Sequence, residues 1–157
     1  MIINPQKAYE EGWVKYAKRR NVQQNGIDLC VSKISILTSP LILTQKSREI
    51  SMQFPLDAKE DRFSLKKLTP YLVETLEYIS VPKNVCALLI QRSTLNRSGI
   101  QILSSWYDSG FQNYGGATIY PFMDAEIEKG ARIVQVIFFE AESASEYKGI
   151  YKNDSMQ

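Results

Sequence analysis

The 157-residue sequence contains no histidine. This absence excludes Ser-His-Asp and Cys-His catalysis, histidine-ligated zinc and acid–base chemistry by imidazole. An enzyme built from this chain must therefore work with carboxylates, hydroxyls, Arg and Lys side chains, backbone amides or a hard metal ion.

Cysteine is also scarce, since the chain has only Cys30 and Cys86. Both lie within apolar segments, IDLCVS and NVCALLI, where a free cysteine behaves as a small buried hydrophobe. Two cysteines without histidine form neither a disulfide framework nor a zinc-binding pattern. We therefore predict two buried free thiols.

Long hydrophobic runs are missing as well. Apolar runs such as VCALLI are far too short to span a membrane. The N-terminal residues MIINPQKAYEEGW lack the basic segment and apolar core of a signal peptide. We expect a cytoplasmic protein without a membrane partner.

The net charge of +2 is too small to suggest nucleic acid as the main partner. The local run Lys15, Lys18, Arg19 and Arg20 is nevertheless basic. It is either a solvated helix face or loop, or an edge that meets phosphates. The sequence leaves both interpretations open.

The pattern of apolar residues predicts an all-β fold in one domain, residues 1–157. After a short helix that begins at Asn4-Pro5 and ends near Gly12, segments rich in β-branched residues alternate with turn formers such as Asn25-Gly26 and Gly115-Gly116. Many short strands with regular turns indicate a sandwich, jelly roll or barrel. The predicted strands are 27–37, 41–44, 71–81, 85–91, 100–106, 117–122 and 133–139.

Two segments fall outside this strand pattern. Residues 45–67 are more polar and charged, which indicates a hairpin excursion or a loop. The tail, residues 143–157, is polar with scattered tyrosines, and we expect it to be mobile unless it packs on a neighbour.

The segment QRSTLNRSGI, residues 91–100, gathers cations and hydroxyls in a turn after an apolar strand. Arg92, Ser93 and Arg97 could bind phosphate oxygens, because hydroxyls, turn amides and guanidinium groups are suited to anions. The alternative is an exposed polar turn.

Two further segments could carry chemistry. Asp108 ends a strand among aromatic residues, including Phe111, that could wall a small pocket, although an aspartate before a glycine is often only a turn former. Gln135 lies in an apolar strand, where it is either a ligand-binding residue or a hydrogen-bonded core glutamine.

Taken together and in this order, these segments resemble the dUTPase/dCTP deaminase superfamily over residues 22–152. The phosphate-binding motif and the fourth motif are the most specific. The matching segments are Asn25-Gly26-Ile27-Asp28-Leu29 for the first motif, Arg92–Ile100 for the phosphate-binding motif, Tyr107–Phe111 for the sugar- and water-binding motif, Gly130–Gln135 for the fourth motif, and Tyr147–Tyr151 for a degraded form of the dCTP deaminase tail.

The resemblance implies a distorted jelly-roll or β-barrel of the dUTPase-like type, assembled as a homotrimer with sites between subunits and Mg²⁺ on the triphosphate. Hydrolysis of dUTP would then depend on positioning and electrostatics. The implied roles are water orientation and 3′-hydroxyl contact for Asp108, phosphate binding for Arg92, Ser93 and the second arginine Arg97, contact with phosphate or metal-bound water for Gln135, contact with the hydration shell of Mg²⁺ for Asp28, and contact with deoxyribose for Phe111.

Two departures from the family pattern bear on the reaction. The glutamate that serves dCTP deaminases as acid and base is replaced by Thr118 or Tyr120, depending on the alignment, and Ile150 stands where the deaminase tail has lysine. We therefore expect a dUTP diphosphatase that releases dUMP and pyrophosphate. A dCTP deaminase, or a bifunctional enzyme, is one alternative, and a silent nucleotide- or protein-binding module is another.

Overall fold

Strands form most of the secondary structure in the computed structural model, which describes residues 1–152. In residues 71–79 every second side chain is buried, as a strand with one face on the core requires. The strands are β1 (Val14–Lys15), β2 (Ile27–Leu37), β3 (Ile42–Leu43), β4 (Arg48–Glu49), β5 (Gln53–Pro55), β6 (Arg62–Leu65), β7 (Tyr71–Ser80), β8 (Val85–Gln91), β9 (Ile100–Leu103), β10 (Trp106–Tyr107), β11 (Gln112–Pro121), β12 (Ala125–Glu128) and β13 (Arg132–Glu140), with helices α1 (Pro5–Glu10) and α2 (Ser93–Arg97).

A nine-stranded antiparallel sheet forms the body of the molecule. Its main order is β10-β8-β13-β2-β7-β11-β9, with β1 paired to β7 and β5 paired to β2. The register shifts between Val31 and Lys33, and again between Arg132 and Val134. Bulges of this kind bend and twist strands, and the sheet curls into a half-barrel. The all-β prediction is confirmed.

The concave side of the curled sheet encloses the hydrophobic core. Side chains from β2, β7, β8, β11 and β13 meet there and are almost completely removed from water. Burial of each large aliphatic side chain contributes about 1.5–3 kcal/mol. Among the largest buried side chains are Ile27, Leu29, Ile34, Ile79, Leu89, Ile119 and Phe138.

The predicted strands 27–37 and 85–91 coincide with β2 and β8. The predicted strand 100–106 is wrong as one element, because the chain leaves β9 after Leu103 and forms β10 on a different neighbour. The strand predicted to start at Ala117 begins at Gln112 and contains the Gly115-Gly116 pair that we predicted as a turn. A Cβ atom at Gly115 would lie 2.6 Å from Oγ1 of Thr75, so this glycine allows close approach of two strands.

The helix near the N-terminus, the polar segment 45–67 and the tail complete the fold. Helix α1 begins after Asn4, whose Oδ1 accepts a hydrogen bond from the N–H of Gln6 at 2.9 Å, and it ends before Gly12. Residues 45–67 hold strand β4, which pairs with β3 just before this segment, and strands β5 and β6. Tyr147 in the tail packs on the body of the chain, while residues 153–157 lie outside the described part.

Both cysteines are free thiols, as predicted. Cys86 is buried, but Cys30 is only half-buried, because β2 turns one face partly outward there. Burial raises the pKa of the Cys30 thiol to about 11, with the negative charge of Glu77 as the next cause. Within residues 1–152 no helix is long and apolar enough to cross a membrane.

Candidate active site

A buried carboxylate lies at the centre of the site. Asp28 is 1% exposed, and its Oδ2 lies 3.2 Å from Nη1 of Arg132 and 3.3 Å from Nε of Arg92. Its Oδ1 accepts a hydrogen bond from Nε2 of Gln135 at 3.2 Å. These four residues are called the Asp28 cluster below. A buried charge requires such partners, because an unpaired carboxylate in the interior is strongly destabilising.

Strand pairing brings the Asp28 cluster together. Gln135 on β13 is the direct partner of Asp28 on β2, and on its other side it is the partner of Ile90 on β8. The backbone N–H of Arg92 donates to the carbonyl of Ile133 at 3.1 Å. This hydrogen bond holds the residue after β8 next to β13, on which Gln135 lies. Residues from three distant segments therefore form one polar site, and Asp28 and Gln135 are 107 positions apart in sequence.

The turn before Asp28 depends on a glycine. A Cβ atom at Gly26 would lie 2.6 Å from the carbonyl oxygen of Val136 and 2.7 Å from Cγ of Gln135. Only a residue without a side chain allows the turn to lie so close to β13. The Asn25-Gly26 pair thus places Asp28 directly beside Gln135.

The phosphate-binding candidates continue from this cluster. Ser93 and Arg97 lie on α2, immediately after Arg92, and both are exposed. Among residues 1–152, neither the hydroxyl of Ser93 nor the guanidinium of Arg97 has a hydrogen-bond or ion-pair partner. Two polar groups next to Arg92 are therefore available to an anion.

Asp108 does not join the Asp28 cluster within one chain. It follows β10, where Tyr107 pairs with Ala87, so Asp108 comes opposite Cys86 at the start of β8. Arg92 lies six residues beyond Cys86 in the direction of β8. Six residues of an extended strand span about 20 Å. Burial raises the pKa of Cys86, and the charge of Asp108 contributes to this shift. Asp108 itself is exposed.

Phe111 is buried between two tyrosine rings. The ring centroid of Tyr107 lies 4.4 Å away in a stacked arrangement, and that of Tyr147 from the tail lies 5.6 Å away. The hydroxyl of Tyr107 donates to the carbonyl of Gly116 at 2.9 Å and accepts from its N–H at 3.0 Å. Burial raises the pKa of Tyr107 to about 12, so this hydroxyl stays protonated at neutral pH.

A cavity of about 720 Å³ lies beside this aromatic group, and none of its lining residues within 1–152 is charged. Trp106, Tyr107 and Asn113 contribute to its wall. Trp106 also borders the separate cleft that contains Asp108. An uncharged wall with a few polar groups suits a neutral ring far better than a phosphate chain.

Arg132, Asn21 and Glu77 were not among the site residues predicted from the sequence. Arg132 stood within the fourth motif but was not assigned to the site. Asn21 donates from Nδ2 to the carbonyl of Asp28 at 2.8 Å and to Oε1 of Glu77 at 3.2 Å, and Oε2 of Glu77 accepts from the N–H of Cys30 at 2.8 Å. Burial raises the pKa of the Glu77 carboxyl. The alternation of β7 could have revealed Glu77, because it puts this acid on the inward face.

The acids downstream of the aspartate motif are engaged elsewhere. Asp124 accepts a hydrogen bond from the N–H of Lys67 at 2.8 Å, which is the main reason that its pKa is lowered. Glu126 lies 3.7 Å from Arg62. Both side chains are exposed, and neither lines the 720 Å³ cavity.

Archaeal relatives match most of the chain. The deoxyuridine 5′-triphosphate nucleotidohydrolase of Methanocaldococcus jannaschii is 29% identical over 140 residues, which cover 86% of this chain and 89% of that protein. A probable deoxyuridine 5′-triphosphate nucleotidohydrolase of Methanopyrus kandleri is 28% identical over 132 residues, or 82% of this chain and 86% of that protein.

Solved structures share the fold. The 2′-deoxycytidine 5′-triphosphate deaminase of Agrobacterium tumefaciens superposes with a TM-score of 0.68 at 14% identity, and this chain spans 47% of its length. A dUTPase from phage phi11 of S. aureus, described with a structural Mg(II) ion, gives a TM-score of 0.57 at 12% identity over 98% of this chain and 97% of that one.

The model of the dCTP deaminase-like family matches residues 6–141. That range includes the Asp28 cluster, the phosphate-binding candidates and the aspartate motif, which agrees with the resemblance found in the sequence. The chain therefore belongs to the dCTP deaminase-like family.

Proposed function

We propose that this protein is a dUTP diphosphatase that converts dUTP to dUMP and pyrophosphate with Mg²⁺. The observation that carries the proposal is the Asp28 cluster, in which Arg92 and Gln135 converge on one carboxylate next to the free hydroxyl of Ser93. The archaeal relatives named dUTP nucleotidohydrolase support the choice of substrate.

The phosphate end of the substrate belongs beside Arg92. In this proposal Arg92 and Arg97 neutralise charge on the phosphate chain, Ser93 donates a hydrogen bond to it, and Gln135 contacts a phosphate or a metal-bound water. Planar guanidinium groups are suited to phosphate oxygens. Groups that are fixed before the reaction stabilise the charge that develops in the transition state.

Asp108 orients the attacking water and contacts the 3′-hydroxyl, while Phe111 lies beside the deoxyribose. Because Asp108 and Arg92 stand about 20 Å apart along β8, one chain cannot bring both to the same phosphate. In this proposal a second copy supplies Asp108, so a homotrimer with sites shared between subunits would complete each site. Exposed apolar side chains at Leu76, Leu103 and Trp106 provide surface for such contacts.

A metal ion in this site would be held mainly by the phosphates of the substrate. Within residues 1–152 no group of three or more candidate ligands could hold an ion by itself. Mg²⁺ keeps several waters and commonly binds through one carboxylate and substrate phosphates. Asp28 is the residue that would contact its hydration shell, and the ion, when bound, would add positive charge at the phosphates.

Deamination of dCTP is not expected from this site. The reaction needs a titratable group at the ring that can move protons. Of the two residues that could stand in place of the deaminase glutamate, Thr118 lines the uncharged cavity and Tyr120 does not. The carboxylate of Asp124 is held on the surface by the N–H of Lys67.

The test measures products from dUTP and dCTP in the presence of Mg²⁺. We expect dUMP and pyrophosphate from dUTP, no turnover after chelation of the metal, and no ammonia from dCTP. If dUTP stays intact at high enzyme concentration, the protein is a binding module. Release of ammonia from dCTP would identify it as a deaminase.

A further inference from the structure

The basic run Lys18-Arg19-Arg20 has no role in the proposed site, but the structure places it beside the Asp28 cluster. Arg19–Asn21 forms a short 3-10 turn before β2. The carbonyl of Arg20 accepts a hydrogen bond from Nη1 of Arg132 at 3.5 Å. The same nitrogen lies 3.2 Å from Oδ2 of Asp28.

The turn that carries Arg20 is fixed relative to Asp28. Asn21 is 2% exposed, and its Nδ2 donates to the backbone carbonyl of Asp28 at 2.8 Å and to Glu77. Gln23 donates from Nε2 to the carbonyl of Arg20 at 3.2 Å. The backbone of Arg20 is thus tied to the site, whereas its side chain projects from an anchored turn.

A cavity of about 320 Å³ lies between this turn and the loop before β13. Its wall consists of Arg20, Cys30, Gly130, Ala131 and Arg132. The guanidinium of Arg20 is exposed and forms no ion pair or hydrogen bond with any residue from 1 to 152. The charged residues of this wall are both cations.

The charges around the cavity are suited to a polyphosphate. Asp28 offsets one of its two guanidinium partners, so the Asp28 cluster carries one surplus positive charge. A nucleoside triphosphate carries up to four negative charges, and Arg20 adds a second uncompensated cation beside Arg132. Two guanidinium groups along one cavity can each make charge-assisted hydrogen bonds with phosphate oxygens.

We propose that Arg20 is a further phosphate-binding residue, which holds the polyphosphate of the nucleotide together with Arg132 in this cavity. This inference rests on the proposed function, because it extends the same phosphate site. The proposed role belongs to Arg20 and not to Arg19, its neighbour in the same turn, because Arg19 does not line the cavity.

Calorimetric titration with inorganic tripolyphosphate tests the proposal without relying on turnover. We expect Arg20→Gln to weaken binding about 10-fold or more, because a hydrogen bond to a charged group is lost. Arg20→Lys should recover part of the affinity through its charge. The matched control Arg19→Gln should stay within about twofold of the unchanged protein. All variants should unfold at the same temperature, since both arginines are exposed.

Three results would overturn the proposal: no binding of tripolyphosphate by the unchanged protein at millimolar concentration, an Arg20→Gln variant that binds as tightly as the unchanged protein, or equal weakening by Arg19→Gln. The last result would mean that only the general positive field matters. If the protein binds tripolyphosphate through Arg20 but leaves dUTP intact, the proposed hydrolysis fails while the role of Arg20 stands.

Discussion

At the scale of single residues, Asp28 illustrates how one side chain can serve both the fold and the site. Its carboxylate is buried and balanced by Arg92 and Arg132. Removal of one partner from a buried ion pair commonly costs about 3–5 kcal/mol. The carboxylate therefore holds two arginines in place, in addition to the contact with metal-bound water that we propose for it.

Asp108, unlike Asp28, is exposed, so its replacement should leave the fold intact. We predict that Asp108→Asn lowers kcat by about 10²–10⁴-fold, since the amide cannot orient and polarise water as a carboxylate does. KM for dUTP should change much less, because the side chain keeps its size. Steady-state kinetics with dUTP measures both constants.

The matched control for this variant is Asp57→Asn, which alters another exposed aspartate outside the proposed site. It should leave kcat and KM unchanged. Near-normal turnover by Asp108→Asn would mean that Asp108 is only a turn residue.

At the scale of elements, Glu77 ties the strands β2 and β7 to the turn before β2. Its two oxygens accept from the N–H of Cys30 and from Nδ2 of Asn21, and Asn21 in turn holds the carbonyl of Asp28. The N–H of Cys30 lies just before the bulge of β2, where the register with β7 shifts. Glu77 thereby fixes the backbone on which Asp28 stands, although it lies outside the site itself.

The raised pKa of Glu77 predicts a dependence of stability on pH. Because burial raises this pKa in the folded state, the stabilisation is fully present below the ordinary pKa of glutamate and is lost as pH rises through the folded value. We expect the free energy of unfolding to fall across that window, and Glu77→Gln to reduce this slope. Urea unfolding at a series of pH values measures it.

Glu77→Gln should also lower the free energy of unfolding by about 1–3 kcal/mol, because the amide of glutamine presents a donor to one of two N–H groups. Glu128→Gln, at an exposed position of strand β12, is the control and should change neither quantity. A pH slope that is unchanged in Glu77→Gln would assign the dependence to another group.

At the scale of the whole molecule, the length of β8 separates the two halves of the proposed chemistry. Arg92 stands at one end of this strand and Asp108 opposite the other. We therefore propose that a complete site combines two chains, as in the homotrimer that the family resemblance implies.

Mixed assemblies test this arrangement directly. We predict that Arg92→Gln and Asp108→Asn are each nearly inactive, but that an equal mixture refolded together regains about one quarter of normal activity. That fraction follows because a random pairing joins an intact Arg92 with an intact Asp108 at one site in four. Differently tagged subunits verify that mixed assemblies form, and turnover of dUTP measures the recovery.

The two variants assembled separately and then mixed without refolding provide the control, and they should stay inactive. Mixed assemblies without recovered activity would show that each chain uses its own Asp108. A stable monomer with full activity in sedimentation experiments would have the same meaning.

The sequence by itself determined the all-β class, the family and much of the strand pattern. Strands β2 and β8 were predicted with their bounds, because β-branched and aliphatic residues dominate them and turn residues flank them. The motif segments around Asp28, Arg92, Asp108 and Gln135 were also recognisable, since each combines rare polar residues with glycine turns. These are local signals that need no knowledge of the partner strand.

Only the tertiary structure decided which of those residues meet. The pairing of β2 with β13, and of β13 with β8, brings Asp28, Gln135 and Arg92 together and adds Arg132, while the length of β8 keeps Asp108 away. The Gly115-Gly116 pair looked like a turn but lies inside β11, where it allows close approach to Thr75. Such outcomes depend on strand register and on contacts between distant residues, and no single segment of the sequence specifies either of them.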